Sequence, residues 1–327
     1  MLIPQPHLSP DFCAIHFQAL SPTLLPYWNH VHPLLPSSVN HIPSRYFYVC
    51  PLCVSQFLLA TPSGVAGSAI FSADHFPPES VGGKDQVLTC KKCNNDAGFY
   101  EAELLKTLNL GTVLDQRYNS LFPKTWVQHA GTDRSFPVTI TKPENKTSIN
   151  FHPEAKKHNK ALREFLTDLH AGKIEKLSIL IPRPDEAKIG RATLKIAYLI
   201  GLIHWGYEFV FSNHGQLIRQ VLQNRLEYPV RTPTFWFPAA NSQVRRGISL
   251  LRLNGEKKAF VAAFDLKTDH EHLVAGIFLP KPGPDGWQEL ADLAPFILAE
   301  IPTAFECIAL PPTPSLNGYS KAWGIMP

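Results

Sequence analysis

The stretch that decides the fold runs from residue 50 to residue 95 and carries two cysteine pairs on either side of an Asp-His dipeptide. In chain order it reads Cys50-Pro-Leu-Cys53, then Asp74-His75-Phe-Pro-Pro-Glu79-Ser80-Val-Gly82-Gly83, then Cys90-Lys-Lys-Cys93-Asn94-Asn95. Paired cysteines with this spacing are typical of tetrahedral thiolate zinc sites. The residue types between the pairs suit metal-dependent phosphodiester chemistry. We therefore predict a structural zinc site and a candidate active site in one short region.

The cysteine pairs have two interpretations, a zinc site or a redox pair. Thirty-six residues lie between Cys53 and Cys90, more than in a simple zinc ribbon, and such an interval is tolerated if the inserted residues form a hairpin. No thioredoxin-like βαβ pattern surrounds either pair, which favours zinc bound by Cys50, Cys53, Cys90 and Cys93. Four thiolates leave no open coordination position, so we expect this zinc to be structural and not catalytic.

Composition sets broad limits on the protein. The chain has 327 residues, enough for two domains, with 44% hydrophobic residues and 30 prolines. Its net charge of +4 permits nucleic-acid binding without requiring it. No apolar stretch is long enough to span a bilayer, and no secretory signal pattern opens the chain. We therefore predict a cytoplasmic protein in a reducing compartment, with Cys13 and Cys307 outside the zinc site.

The region around the Asp-His dipeptide predicts the order strand, loop, strand, helix. Residues 68–71 form a strand that approaches Asp74-His75, and Gly82-Gly83 marks a turn. Residues 86–89 form the return strand. Asn94, Asn95 and Asp96 are good N-cap residues for a helix that continues to Gly111.

The predicted fold class is α+β, with a small zinc-stapled ββα module followed by a larger mixed domain. We divide the chain into an irregular Pro/His-rich arm (1–44), the module (45–125) and an α+β domain (126–327). The elements predicted in this last domain are a hairpin (136–141 and 148–151), helices (154–170, 185–205, 216–226 and 287–301), a buried strand (177–182) and an antiparallel meander (248–253, 259–266 and 273–279).

The ordered string of acid-His, Pro-x-Ser, Gly-Gly, strand, CxxC and Asn closely resembles the HNH nucleases with a ββα-metal core. The resembling segment covers residues 50–103, about a sixth of the chain. The resemblance implies that Asp74 and Asn94 hold a divalent cation and that His75 is the general base. The middle signature position, often Asn in the family, is Asp85 here. Asp85 can accept hydrogen bonds from backbone amides but cannot donate one.

The chemistry of phosphodiester hydrolysis accounts for these residue types. Water must lose a proton, for which a histidine with a pKa near ~6.5 is suited at neutral pH. Mg²⁺ or Mn²⁺ bound by carboxylate and amide oxygens would neutralise the leaving oxygen. By resemblance, the expected substrate is duplex DNA. The alternative is a catalytically inactive zinc module that binds nucleic acid or protein through the same scaffold.

Several weaker candidates have equally simple explanations as solvated or structural residues. They are Glu79 and Ser80 for substrate positioning, Lys91 and Lys92 for phosphate contacts, the basic helix face of Lys156, Lys157, Lys160 and Arg163, and the pairs His30/His32 and His270/His272 as metal ligands. Residues beyond 125 carry no cluster with catalytic spacing, so we expect them to position or regulate the nuclease. On this basis a chain ending near residue 125 should keep its zinc and weak nicking activity.

Overall fold

The protein is described from a computed structural model. The model describes Leu20 and Leu24 and residues 47–61, 64–66, 70–114, 122–129, 135–141, 148–151, 159–174, 176–180, 185–225, 234–241, 244–253, 256–268, 272–280, 288–292 and 305–310. The predicted N-terminal arm (1–44) therefore lies outside the described residues, apart from Leu20 and Leu24, which are both buried.

The described residues include fourteen strands, five α-helices and a further helical stretch at 288–292. The strands are β1 (Phe47–Val49), β2 (Phe57–Thr61), β3 (Gly64–Ala66), β4 (Phe71–His75), β5 (Gln86–Cys90), β6 (Phe122–His129), β7 (Ser135–Thr141), β8 (Ser148–Phe151), β9 (Leu177–Leu180), β10 (Thr234–Pro238), β11 (Gly247–Leu253), β12 (Glu256–Lys267), β13 (His272–Leu279) and β14 (Phe305–Ala309). The helices are α1 (Lys91–Leu114), α2 (Asn159–His170), α3 (Glu186–Trp205), α4 (Tyr207–Phe211) and α5 (Asn213–Leu222).

The strands pair in small antiparallel sheets, which confirms the predicted α+β class. Their orders are β1-β2-β3, β4-β5, β8-β7-β6-β9 and β10-β13-β12-β11-β14. The pairing of β4 with β5 confirms the predicted strand, loop, strand order, and the pairing of β7 with β8 confirms the predicted hairpin. The β11-β12-β13 meander is also present.

The chain divides into two compact units, one of which is discontinuous in sequence. The first unit consists of residues 1–104 and 186–327, and the second consists of residues 105–185. These units do not follow the predicted boundaries at residues 45 and 126. The reason is that α3, α4 and α5, all beyond residue 185, pack onto the segment that carries β1 to β5.

Helix α3 is the centre of the first unit. Its residues from Ala192 to Leu202 are all buried, as expected for a helix that is apolar on nearly every side. On one side it contacts β11, β12 and β13, where the rings of Trp205 and Phe260 lie 4.7 Å apart. On another side the Tyr198 hydroxyl donates to the carbonyl of Pro51 at 2.9 Å. Helix α3 therefore joins the five-stranded sheet to the first cysteine pair.

In its described residues the second unit contains a four-stranded sheet, helix α2 and the last ten residues of α1. Val127, Phe136 and Val138 from the sheet and Phe165 from α2 form its buried core. The predicted buried strand at 177–182 is β9, but it is an edge strand and Leu180 is 40% exposed. The prediction of burial was wrong because an apolar run does not distinguish a central strand from an edge strand.

Several element boundaries also differ from the sequence-based prediction. Helix α1 begins at Lys91, so Asn94 lies within its first turn and is not its N-cap. Strands β6, β10 and β14 and helix α4 were not predicted. Residues 288–292 of the predicted final helix are helical, and the rest of that prediction lies outside the described residues. Among the helices of the described part of the chain, none combines the length and apolar character needed to cross a membrane.

Candidate functional site

The fold brings the two cysteine pairs together. Cys50 and Cys53 follow β1, Cys90 ends β5, and Cys93 lies in the first turn of α1. All four sulfur atoms lie within 4.8 Å of one another, and those of Cys53 and Cys90 are 3.8 Å apart. The four thiols form no disulfide. This arrangement is compatible with a structural metal site, as the spacing of the pairs predicted.

Backbone groups support the sulfur atoms. The amide of Cys90 donates to Sγ of Cys50 at 3.3 Å, and the amide of Cys93 donates to Sγ of Cys90 at 3.4 Å. The second bond satisfies one of the free amides at the start of α1, so Cys90 caps the helix that Asn94 was predicted to cap. Such outer hydrogen bonds orient the ligands of a metal site.

The thiols perturb one another strongly. Burial raises the pKa of Cys50. A hydrogen bond with Cys50 is the main cause that lowers the pKa of Cys53, and the same kind of bond lowers the pKa of Cys90 to about 7. The pKa values of the thiols therefore depend on one another. A bound metal ion would replace the thiol protons.

The hairpin and the helix after it place the Asp-His dipeptide beside Asn94. Asp74 and His75 end β4, where His75 pairs with Gln86 of β5 in the antiparallel register. The side-chain amide of Asn94 donates to Oγ of Ser72 at 3.0 Å and to the carbonyl of Ala73 at 3.2 Å. The first turn of α1 is thus attached to the strand that carries both predicted catalytic residues.

Gly82 and Gly83 shape the loop between β4 and β5. Gly82 has φ +83°, a left-handed conformation that suits glycine, and it ends a short 3-10 turn over Glu79–Val81. The amide of Gly83 donates to the carbonyl of Pro78 at 3.1 Å. Glu79 and Ser80 are exposed on this loop, where no contact distinguishes them as substrate ligands.

We expect Gly83→Ala to destabilise the first unit by about 2–3 kcal/mol. The reason is that a Cβ at residue 83 would lie 1.6 Å from the carbonyl oxygen of Pro77, so the loop backbone must move. Thermal unfolding measures the effect. Gly98→Ala is the matched control, because a Cβ there meets nothing within 4 Å on the exposed side of α1, and alanine favours a helix. Equal melting temperatures for the two variants would contradict the prediction.

His75 is half-buried, and its ring faces a side-chain amide. Nε2 of His75 lies within hydrogen-bond distance of the side-chain nitrogen of Gln86. With the amide nitrogen towards the ring, Nε2 is the acceptor and the neutral ring carries its proton on Nδ1. The sequence analysis placed Gln86 in the return strand but did not identify it as a partner of His75. Its position opposite His75 in the predicted hairpin was a usable signal.

Asp74 points to the other face of β4 and is buried at 2% exposure. Its Oδ1 lies 2.6 Å from Nζ of Lys195, and its Oδ2 accepts a hydrogen bond from Oγ1 of Thr89 at 3.0 Å. Nζ of Lys195 also lies 2.6 Å from Oε1 of Glu101 on α1. The three charged groups form a buried cluster, which we call the Lys195 cluster.

In the Lys195 cluster one ammonium group faces two carboxyl groups. Burial would lower the pKa of Lys195, but the attraction of Asp74 and Glu101 outweighs it and raises that pKa above its usual value. Burial also raises the pKa of Glu101, against the attraction of Lys195. One ammonium group therefore remains charged, and it is shared between two carboxyl groups.

The residues as they stand do not fit a divalent cation held jointly by Asp74 and Asn94. A carboxylate oxygen can accept a second contact, but this carboxylate is nearly inaccessible to water, and Mg²⁺ keeps several of its waters. A cation at Asp74 would also meet the ammonium of Lys195, which lies 2.6 Å from Oδ1. The carboxylate oxygens of Asp74 therefore suit the ammonium group of Lys195 and not a divalent cation.

Asp85 contributes to the loop through its backbone. Its carbonyl accepts a hydrogen bond from the amide of Phe76 at 3.0 Å, and its side chain is exposed. A bond between these two backbone groups closes the loop after His75. The predicted side-chain role of Asp85 as an acceptor for backbone amides stays a prediction.

The weaker candidates do not join this site within the described residues. Lys91 and Lys92 are exposed, and Lys92 forms a solvated ion pair with Asp96 at 2.6 Å. Lys160 and Arg163 are exposed on α2 in the second unit. His272 is exposed and lies 2.7 Å from Asp265. The candidates outside the described residues are Lys156, Lys157, His30, His32 and His270.

No family model, curated protein or solved structure significantly matches this chain. The resemblance to HNH nucleases therefore stays a prediction from the motif residues and from the strand-loop-strand-helix order that carries them.

Proposed function

We propose that the β4-β5-α1 segment is an HNH-type nuclease centre that hydrolyses phosphodiester bonds in DNA. The observation that carries this proposal is the position of His75. It ends β4 and remains partly exposed beside the loop that contains Gly82 and Gly83. The side chain of Asn94, in α1, forms hydrogen bonds with the same strand. This is the order of elements and residues that the HNH pattern requires.

In the proposed reaction, His75 acts as the general base. The neutral ring accepts a proton from water, the water oxygen forms a bond to phosphorus, the bond to the 3′ oxygen breaks, and the leaving 3′ oxygen takes a proton from solvent water. Substrate must displace the amide of Gln86 from Nε2, since that nitrogen is the acceptor available for the proton. Asn94 fixes the start of α1 against β4, which holds the helix beside the strand that carries His75.

The metal in the cysteine cluster is proposed to be Zn²⁺. Sulfur ligands at ~2.3 Å from a tetrahedral ion lie about 3.8 Å apart, and Cys53 and Cys90 already show this separation. Such a site is closed to substrate and leaves the chemistry to His75. Unoxidised thiols favour a reducing compartment, so we also propose a cytoplasmic location.

The test is plasmid nicking by the purified full-length protein. We expect His75→Ala to reduce the cleavage rate by ~10²–10⁴ while zinc content and thermal stability stay unchanged, because it removes a general base. His272→Ala is the matched control, since this exposed histidine pairs with Asp265 on β12. Cleavage by His75→Ala at the wild-type rate would overturn the assignment of the base.

A second candidate function is a non-catalytic zinc module that binds nucleic acid or protein. The burial of Asp74 in an ion pair favours it, because an HNH centre needs that acid for its cation. A wild-type protein that binds DNA but cleaves neither DNA nor RNA, with Mg²⁺ or Mn²⁺ added, would support this function over the nuclease.

A further inference from the structure

We propose that the ammonium group of Lys195 occupies the cation position at Asp74 and excludes a divalent cation from it. The inference rests on the proposed function for its meaning, but its test measures metal binding and does not need cleavage. It assigns a role to a residue 121 positions away from Asp74, outside the segment that resembles HNH nucleases.

The first argument is the direction of the side chains. Successive side chains of a strand point to opposite faces, so Ser72 and Asp74 share one face of β4, and Phe71, Ala73 and His75 share the other. Ser72 and Asp74 are buried, whereas His75 is partly exposed. Asp74 therefore faces the interior, where α1 and α3 cover it, and His75 faces the loop on the other side.

The second argument is that Asp74 and Glu101 together form an acidic pair that needs a cation. Glu101 is seven residues after Asn94, two turns along the same face of α1, so both residues face β4. Two carboxyl groups buried this close repel each other unless a positive charge lies between them. Nζ of Lys195 fills that place, at 2.6 Å from each carboxyl group.

The third argument is that the ammonium and a divalent cation exclude each other. A divalent ion bound to Asp74 would have a ligand distance of about 2.0–2.1 Å for Mg²⁺. It would then lie beside the positive charge of Lys195 in a region where water does not screen it. The side chain of Lys195 is only 1% exposed, so its ammonium cannot move into solvent without opening the core of the first unit.

The experiment titrates Mn²⁺ into full-length, zinc-loaded protein and follows bound Mn²⁺ by electron paramagnetic resonance together with the melting temperature. Wild type and Asp74→Asn are both expected to bind no Mn²⁺ at residue 74, because Asp74 offers no place for the ion, although Asp74→Asn should melt at a lower temperature since it removes one partner of the buried ion pair. Lys195→Met keeps the length of the side chain and removes the charge. It is expected to melt at a lower temperature and to gain a bound Mn²⁺ that restores stability. Adding Asp74→Asn to Lys195→Met should abolish that binding.

Two results would overturn the proposal. One is a Mn²⁺ ion bound to the wild type and lost in Asp74→Asn, which would make Asp74 a cation ligand. The other is a folded Lys195→Met protein that binds no Mn²⁺. If Lys195→Met does not fold, the comparison of wild type with Asp74→Asn still decides the matter. A protein that cleaves no DNA would overturn the proposed function and leave this comparison intact.

Discussion

Cys90→Ser is expected to unfold the β4-β5-α1 segment and to lower bound zinc below half an equivalent per chain. Cys90 is buried, its sulfur is 3.8 Å from that of Cys53, and it accepts the amide hydrogen bond of Cys93. Structural zinc contributes roughly 10–16 kcal/mol in small zinc-finger peptides, which is comparable to the whole stability of a typical domain. Loss of one thiolate is therefore expected to cost more free energy than the total folding stability of the segment.

Metal analysis and amide hydrogen exchange of residues 86–104 measure this effect. Cys307→Ser is the matched control, because the same substitution is made in β14, outside the cysteine cluster. We expect that variant to keep its zinc. A Cys90→Ser protein with a full equivalent of zinc and unchanged exchange protection would show that Cys90 is not a required ligand of the metal.

A chain ending at residue 125 is expected not to fold, the reverse of what the sequence alone predicts. Such a fragment lacks Lys195, so the carboxyl groups of Asp74 and Glu101 would be buried without their partner. Removing one partner of a buried ion pair costs about 3–5 kcal/mol. The loss is a large part of the stability that a segment of this size can have.

The fragment would also lose side chains that form hydrogen bonds with backbone groups at the first cysteine pair. The hydroxyl of Tyr207 contacts the backbone of Val49, and Gln223 donates to the carbonyl of Leu52 at 2.6 Å. A buried carbonyl left without a partner costs about 1–3 kcal/mol. Circular dichroism and zinc analysis of the fragment, beside the full chain, test the prediction. A folded fragment with one zinc would show that the segment is independent of α3, α4 and α5.

The sequence predicted the local parts of the site because each depends on neighbouring residues. The CxxC pairs, the Gly82-Gly83 turn and the hairpin partner of Asp74-His75 are all encoded within fifty residues. The prediction that Asn94 caps the start of α1 was wrong. A sulfur atom, Sγ of Cys90, takes the role that a side-chain oxygen usually has. Spacing rules describe ordinary caps and do not include a metal ligand that also caps a helix.

Lys195 could not be predicted in the same way. It lies in a helix whose pattern is apolar, and nothing in its spacing from neighbours connects it to Asp74. Glu101 could in principle have been predicted from the sequence, because it shares a helix face with Asn94. Only the packing of α3 brings Lys195 to both Asp74 and Glu101, and its contact with Asp74 joins residues 121 positions apart.

The discontinuity of the first unit has a consequence for protein synthesis. Gln223, which satisfies the carbonyl of Leu52, follows it by 171 residues. At roughly 5–20 residues per second, a ribosome needs on the order of ten to thirty seconds to produce that partner. For most of this interval all four cysteines have been synthesised, but the helices that cover them do not yet exist. We therefore expect that a nascent chain can bind a metal ion at these cysteines before its core closes.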